Sequence, residues 1–177
     1  MKKIIAIMSL IMSTMLFASC GGDKDAKNTP IPEIDAAQIV TLQDASDLTG
    51  GEYTLKQETE TAVRNDNESS IAYRPDPTGA GDPVLVSVKQ QTESIGTDVI
   101  WNEYENTRMQ RQNVEFLSGI GDDAYVAFPS IHVYSCGCEV TITAGSGSGD
   151  EQKELLMRFA QRAVDNLSAV MYPSEQK

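Results

Sequence analysis

Residues 131–143 read Ile-His-Val-Tyr-Ser-Cys-Gly-Cys-Glu-Val-Thr-Ile-Thr, and they constrain the fold more than any other stretch of the chain. Apolar side chains alternate on both sides of Cys136-Gly137, the period-two signature of a strand with one buried face. With Cys136-Gly137 as a two-residue turn, Val133 stands opposite Val140 and Ile131 opposite Ile142. All four then share one face, and a slip of one residue would turn a whole strand's apolar set to water. The other face carries His132, Tyr134, Glu139, Thr141 and Thr143. A sheet of this kind needs something apolar laid over it.

The chain supplies that cover at its end. Leu156, Phe159, Ala160, Ala163, Leu167 and Val170 recur at helical spacing and make an amphipathic face. Ser148 and Glu151 read as the cap of this helix, after a Gly/Ser loop over 145–149. A second helix is predicted over 97–110, with Val99, Ile100 and Tyr104 as its buried stripe and Trp101 at the edge. A short first helix starts at Thr41, where Asp44 completes a capping box, and stops at Gly50. Leu42, Ala45 and Leu48 lie on one side of it.

Strands are predicted over 53–59, 71–74 and 84–88, then over 124–128 and the two arms of the hairpin, 131–135 and 138–143. Residues 65–68 read as a turn, and 75–83, rich in Pro, Asp and Gly, as a loop. The expected order is helix, three strands, helix, three strands, helix. That is an α+β fold with an antiparallel sheet packed by helices.

The first 19 residues are of another kind. Met1-Lys2-Lys3 precedes a run from Ile4 to Phe17 without a charge. A basic start and a short apolar run mark a secretory signal peptide, and the run falls short of the roughly 20 residues of a relaxed membrane span. Phe17-Ala18-Ser19-Cys20 resembles the lipobox of bacterial lipoproteins, with Phe17 where leucine is usual. The resemblance implies cleavage before Cys20, diacylglycerol on its sulfur and an acyl chain such as palmitate on its new amine. A plain secreted protein cut after Gly21 is the other reading. Residues 20–38, with Gly21-Gly22, Pro30 and Pro32, read as a flexible tether. Residues 39–172 then form one domain, and 173–177 a C-terminal tail. The expected location is extracytoplasmic, lipid-anchored to the cell membrane, or to the outer membrane where the source has one.

Cleavage before Cys20 leaves 158 of 177 residues, enough for one domain with a core. It removes Lys2 and Lys3 and no acid, so the net charge moves from -12 to -14. An acidic domain without a basic patch is not expected to bind nucleic acid.

A second resemblance rests on Asp44-x-x-x-Leu48-x-Gly50, on Gly119-Ile120-Gly121-Asp122-Asp123-Ala124-Tyr125 and on the closing amphipathic helix. Together they are similar to a group of small actinobacterial-type lipoproteins of unknown function. The likeness brings no activity with it.

Few residues invite chemistry. Lipidation of Cys20 leaves Cys136 and Cys138, a candidate disulfide in a compartment that permits one. A bond across one intervening residue is strained and easily reduced. The alternatives are a redox pair, a turn staple and two unbonded thiols. His132 precedes them as His-x-x-x-Cys-x-Cys, but the hairpin register puts His132 and Cys138 on opposite faces, and zinc needs three or four convergent ligands. The glycines at 119 and 121 lack the third glycine and the following helix of a dinucleotide loop, and Asp122 reads as a turn residue bonding backbone. Asn65-Asp66-Asn67-Glu68 lacks calcium-loop spacing. No Gly-x-Ser-x-Gly elbow is present. No catalytic residue, metal or cofactor is therefore expected. The leading expectation is a non-catalytic binding module of the cell envelope for a protein, glycan or small ligand. The alternative is an envelope thiol oxidoreductase using Cys136 and Cys138.

Overall fold

The computed structural model describes residues 31–54, 63–64, 66–76 and 81–173. The signal segment, Cys20, most of the tether and much of the strand predicted over 53–59 lie outside them. The elements are α1 (Ala36–Ile39), α2 (Leu42–Thr49), β1 (Tyr53–Thr54), β2 (Val63–Arg64), β3 (Glu68–Pro75), β4 (Val84–Lys89), α3 (Thr97–Gln110), β5 (Glu115–Leu117), β6 (Asp123–Ala127), β7 (Ser130–Ser135), β8 (Cys138–Ala144) and α4 (Asp150–Met171).

The fold is α+β, with a single antiparallel sheet in the order β1-β3-β4-β8-β7-β6-β5 and with β2 paired to the same edge of β3 as β1. The hairpin has the register its apolar pattern demands. Val133 pairs with Val140, Ile131 with Ile142 and Ser135 with Cys138. Cys136 and Gly137 have φ of 52° and 77°, the two left-handed residues that match a hairpin turn to strand twist. The pairing of β4 with β8 joins the two halves of the chain, with Val86 opposite Ile142 and Val88 opposite Val140.

One sheet face is dry. Val84, Val86, Val88, Ile131, Val133, Val140 and Ile142 are buried there together with Leu156, Phe159, Ala160, Ala163 and Leu167 of α4. The short helices close the same layer. Thr41 and Asp44 form the capping box, and Gly50 ends α2 in the left-handed conformation. Asp44 also accepts from Arg162 at 2.8 Å and from Asn166 at 3.4 Å, which ties α2 to α4.

The opposite face is covered in part by α3, over a separate cluster of Tyr104, Tyr125 and Ala127 with Trp101, Val114 and Tyr134 packed on it. Tyr104 donates to Asp123 at 2.7 Å, and Arg108 pairs with the same carboxylate at 3.3 Å.

Five expectations need correction. Among the described residues the strands fall four and four around α3, because β2 and the three-residue β5 are too short to leave a pattern. The fold begins before Ile39. Ile34 and Ala36 are buried, and Asp35 caps α1 by a capping box with Gln38, so 34–38 are not tether. The strand read over 71–74 runs the full length Glu68–Pro75, because Ser69 is buried, accepting from the Ala36 amide, although its sequence looks like turn. Val99 is 41% exposed, since α3 buries only Ile100 and Tyr104, one turn apart. Finally, Ser148 does not cap α4. The N-cap is Gly149 at φ 116°, and no side chain bonds the first turn there.

Candidate functional site

The hairpin places the chemistry-bearing side chains on two different faces. Cys138 is on the dry face beside Val140 and is 1% exposed. His132, Tyr134, Glu139 and Thr141 lie on the face of α3. The separation of His132 from Cys138 expected from the register is therefore present, and among the described residues no group of three or more His, Cys, Asp or Glu could hold a metal ion.

Cys136 and Cys138 are not joined by a disulfide here. Burial pushes the Cys138 thiol up to about 12, with a smaller contribution from neighbouring Cys136. Attack on a disulfide needs a thiolate. A thiol held protonated by a dry core is a poor nucleophile, which bears on Cys138 and not on the half-buried Cys136 at the hairpin tip. Asp122, one of the two adjacent aspartates, accepts from the Cys136 amide at 3.1 Å, and its own amide donates to Tyr134 O at 2.9 Å. It holds the hairpin tip against the Gly119–Gly121 turn. A side chain at Gly121 would meet Tyr134 O at 2.7 Å, and its φ is 59°, so both space and backbone call for glycine there.

The most polar buried group is centred on His132. Its ring stacks on Tyr125, with centroids 4.6 Å apart and planes 8° apart. Its Nδ1 lies 3.1 Å from Thr141 Oγ1 and 3.4 Å from Glu139 Oε1. His132 and Glu139 are 3% and 5% exposed. A carboxylate beside an imidazole beside a hydroxyl invites comparison with a hydrolytic triad. That relay needs the acid on one ring nitrogen and the hydroxyl on the other. Here both sit on Nδ1, while Nε2 is buried and finds no hydrogen-bond partner among the described residues. The Tyr125 hydroxyl is equally buried and equally unpartnered, and burial raises it to about 12. The hairpin alternation alone puts His132, Glu139 and Thr141 on one face, but it says nothing of Tyr125, which comes from another strand, or of the burial of the group.

Lys89 joins the rim of this group. It pairs with Glu103 of α3 at 3.2 Å, and its ammonium is pushed up by Glu103, Glu139 and Glu68 against the opposing effect of burial. The remaining part of this face, over β3, β4 and β8, carries Ser70, Ala72, Leu85, Ser87 and Thr143. No helix covers it among the described residues, and Leu85 is 44% exposed.

No family model, curated protein or solved structure matches the chain. Among the described residues no helix is long and apolar enough to cross a membrane.

Proposed function

We propose that the chain is a bacterial lipoprotein, cut before Cys20, anchored by lipid on that cysteine outside the cytoplasm, and presenting a non-catalytic binding domain to a protein, glycan or small ligand of the envelope. The likeness to small actinobacterial-type lipoproteins belongs to the same proposal. The observation that carries it is Phe17-Ala18-Ser19-Cys20 directly after the charge-free run. Thirteen residues, 21–33, then separate Cys20 from Ile34, the first buried side chain among the described residues. Fully extended, they span at most about 45 Å, so the acidic domain can stand clear of lipid headgroups. Each buried methylene of an anchoring chain contributes about 0.8 kcal/mol, and two or more chains hold stably.

The binding half of the reading is supported by a cleft of about 370 Å³ between the end of α2 and the start of α4, lined by Thr49, Glu151, Leu155 and Arg158. The test is a Cys20→Ala variant in the native envelope, with crosslinking of the wild-type protein to recover its partner. The variant should leave the membrane fraction. Full retention of Cys20→Ala on the membrane would refute the anchor.

A further inference from the structure

At the end of the molecule remote from the cysteine hairpin, a cleft in two lobes opens between the end of α2, the start of α4 and the Gly/Ser loop between β8 and α4. The larger lobe encloses about 370 Å³ and the smaller about 200 Å³. Thr49, Gln152 and Leu155 line both, so the lobes adjoin across these side chains. The larger falls in the usual range of small-ligand sites. The loop that shapes it is fixed by Gln152, whose side-chain amide donates to Ala144 O and whose oxygen would lie 2.7 Å from a side chain at Gly145.

The charges in this cleft are separated. Arg158 lines the larger lobe and makes no ion pair or hydrogen bond with any described residue. Asp82 lines the smaller lobe, with one carboxylate oxygen accepting from Ser146 at 3.0 Å and the other uncommitted. Between them lies Leu155. A simple anion would be opposed by Asp82 and by Glu151 in the larger lobe, and a simple cation by Arg158. Sugars commonly need an exposed aromatic platform, and the one ring here among the described residues, Tyr53, is only 8% exposed, with its hydroxyl donating to Asp82 O.

We infer that this cleft binds a short zwitterionic peptide, its carboxylate at Arg158, its ammonium at Asp82 and its backbone along Leu155. Glu151 and Ser148 then stand where peptide N–H and C=O groups pass. The inference rests on the binding-module reading and names its ligand class. A bidentate guanidinium–carboxylate contact supplies orientation as well as strength.

The test is calorimetric titration of the mature chain, purified in detergent, with trialanine, N-acetyl-trialanine and trialanine amide. Free trialanine should bind saturably, and each blocked peptide about tenfold more weakly, the loss expected for one charge-assisted contact. Arg158→Gln should bind the free and amidated peptides alike, and Asp82→Asn the free and acetylated ones alike. Both side chains are exposed, so both variants should fold, as unchanged thermal unfolding would verify. Equal affinity for all three peptides, no saturable heat with any, or tighter binding of a chitin disaccharide would overturn the proposal. These outcomes do not depend on Cys20. Loss of the anchor reads out in fractionation, and loss of the cleft's preference reads out in the blocked peptides.

Discussion

The two faces of the sheet are built by opposite means. On one, α4 spends 22 residues to bury five apolar side chains against valines and isoleucines, and among the described residues Asp44 is the one buried charge there, bonded on both oxygens. On the other, α3 buries two side chains, over a layer of tyrosines, a histidine and a glutamate. The first face holds the domain together. The second is assembled from groups that each need a polar partner, and two of them, His132 Nε2 and the Tyr125 hydroxyl, have none among the described residues. A dry face tolerates little change in volume. A polar face carries unmet hydrogen bonds that cost stability and leave room for gain.

The sharpest way to break this comparison is to cut each face once. Phe159→Ala should lower stability by about 3–5 kcal/mol, the range for an aromatic removed from a close-packed core. Ile100→Ala under α3 should cost about 2 kcal/mol, the low end for an isoleucine, because α3 has little else to lose and can settle. Chemical denaturation of both variants measures the difference, and equal losses would erase the distinction between the faces.

Alkaline pH acts on both faces at once. Burial raises the Tyr73 and Tyr125 phenols to about 12 from 10.0 and the Cys138 thiol to about 12 from 9.0, and raises Tyr104 further in the same direction. These groups stay neutral when folded and ionise on unfolding. Their contribution is therefore complete below pH 9 and is lost as pH rises through 12. The melting temperature should fall across that window, and Cys138→Ala should delay the onset of the fall. A flat profile between pH 9 and pH 12 would count against the buried placement of these groups.

The smallest effect sharpens the contrast. Tyr125→Phe removes a hydroxyl that has no partner and keeps the ring stacked on His132. We expect stability to be unchanged or to rise by up to about 1 kcal/mol, since an unmet buried donor costs that order. A loss above 1 kcal/mol would show that the hydroxyl is bonded.

Much of the dry face was legible in sequence. The hairpin register, the α2 capping box with its Gly50 stop and the apolar stripe of α4 all follow from periodicity and caps, because each is a local pattern that one buried face enforces. The polar face was legible only within the hairpin, where alternation puts His132, Tyr134, Glu139 and Thr141 together. Its members come from β6, β7, β8 and α3 and meet only through strand pairing. The early start at Asp35 had a local sign, Asp35 with Gln38 three residues on, but a helix of one turn gives no periodicity to support it. The cleft had no sign at all, since Asp82 and Arg158 are 76 residues apart in the chain.

What unites the two faces is the proposed setting, an acidic domain on a short tether at a membrane. The most direct test of that setting is the mass of the mature N-terminal peptide from protein made in its own cell envelope. The account predicts a chain that begins at Cys20 and carries diacylglycerol on the sulfur, with Gly21 as its second residue. A mature chain that begins at Gly22 with no lipid would contradict it.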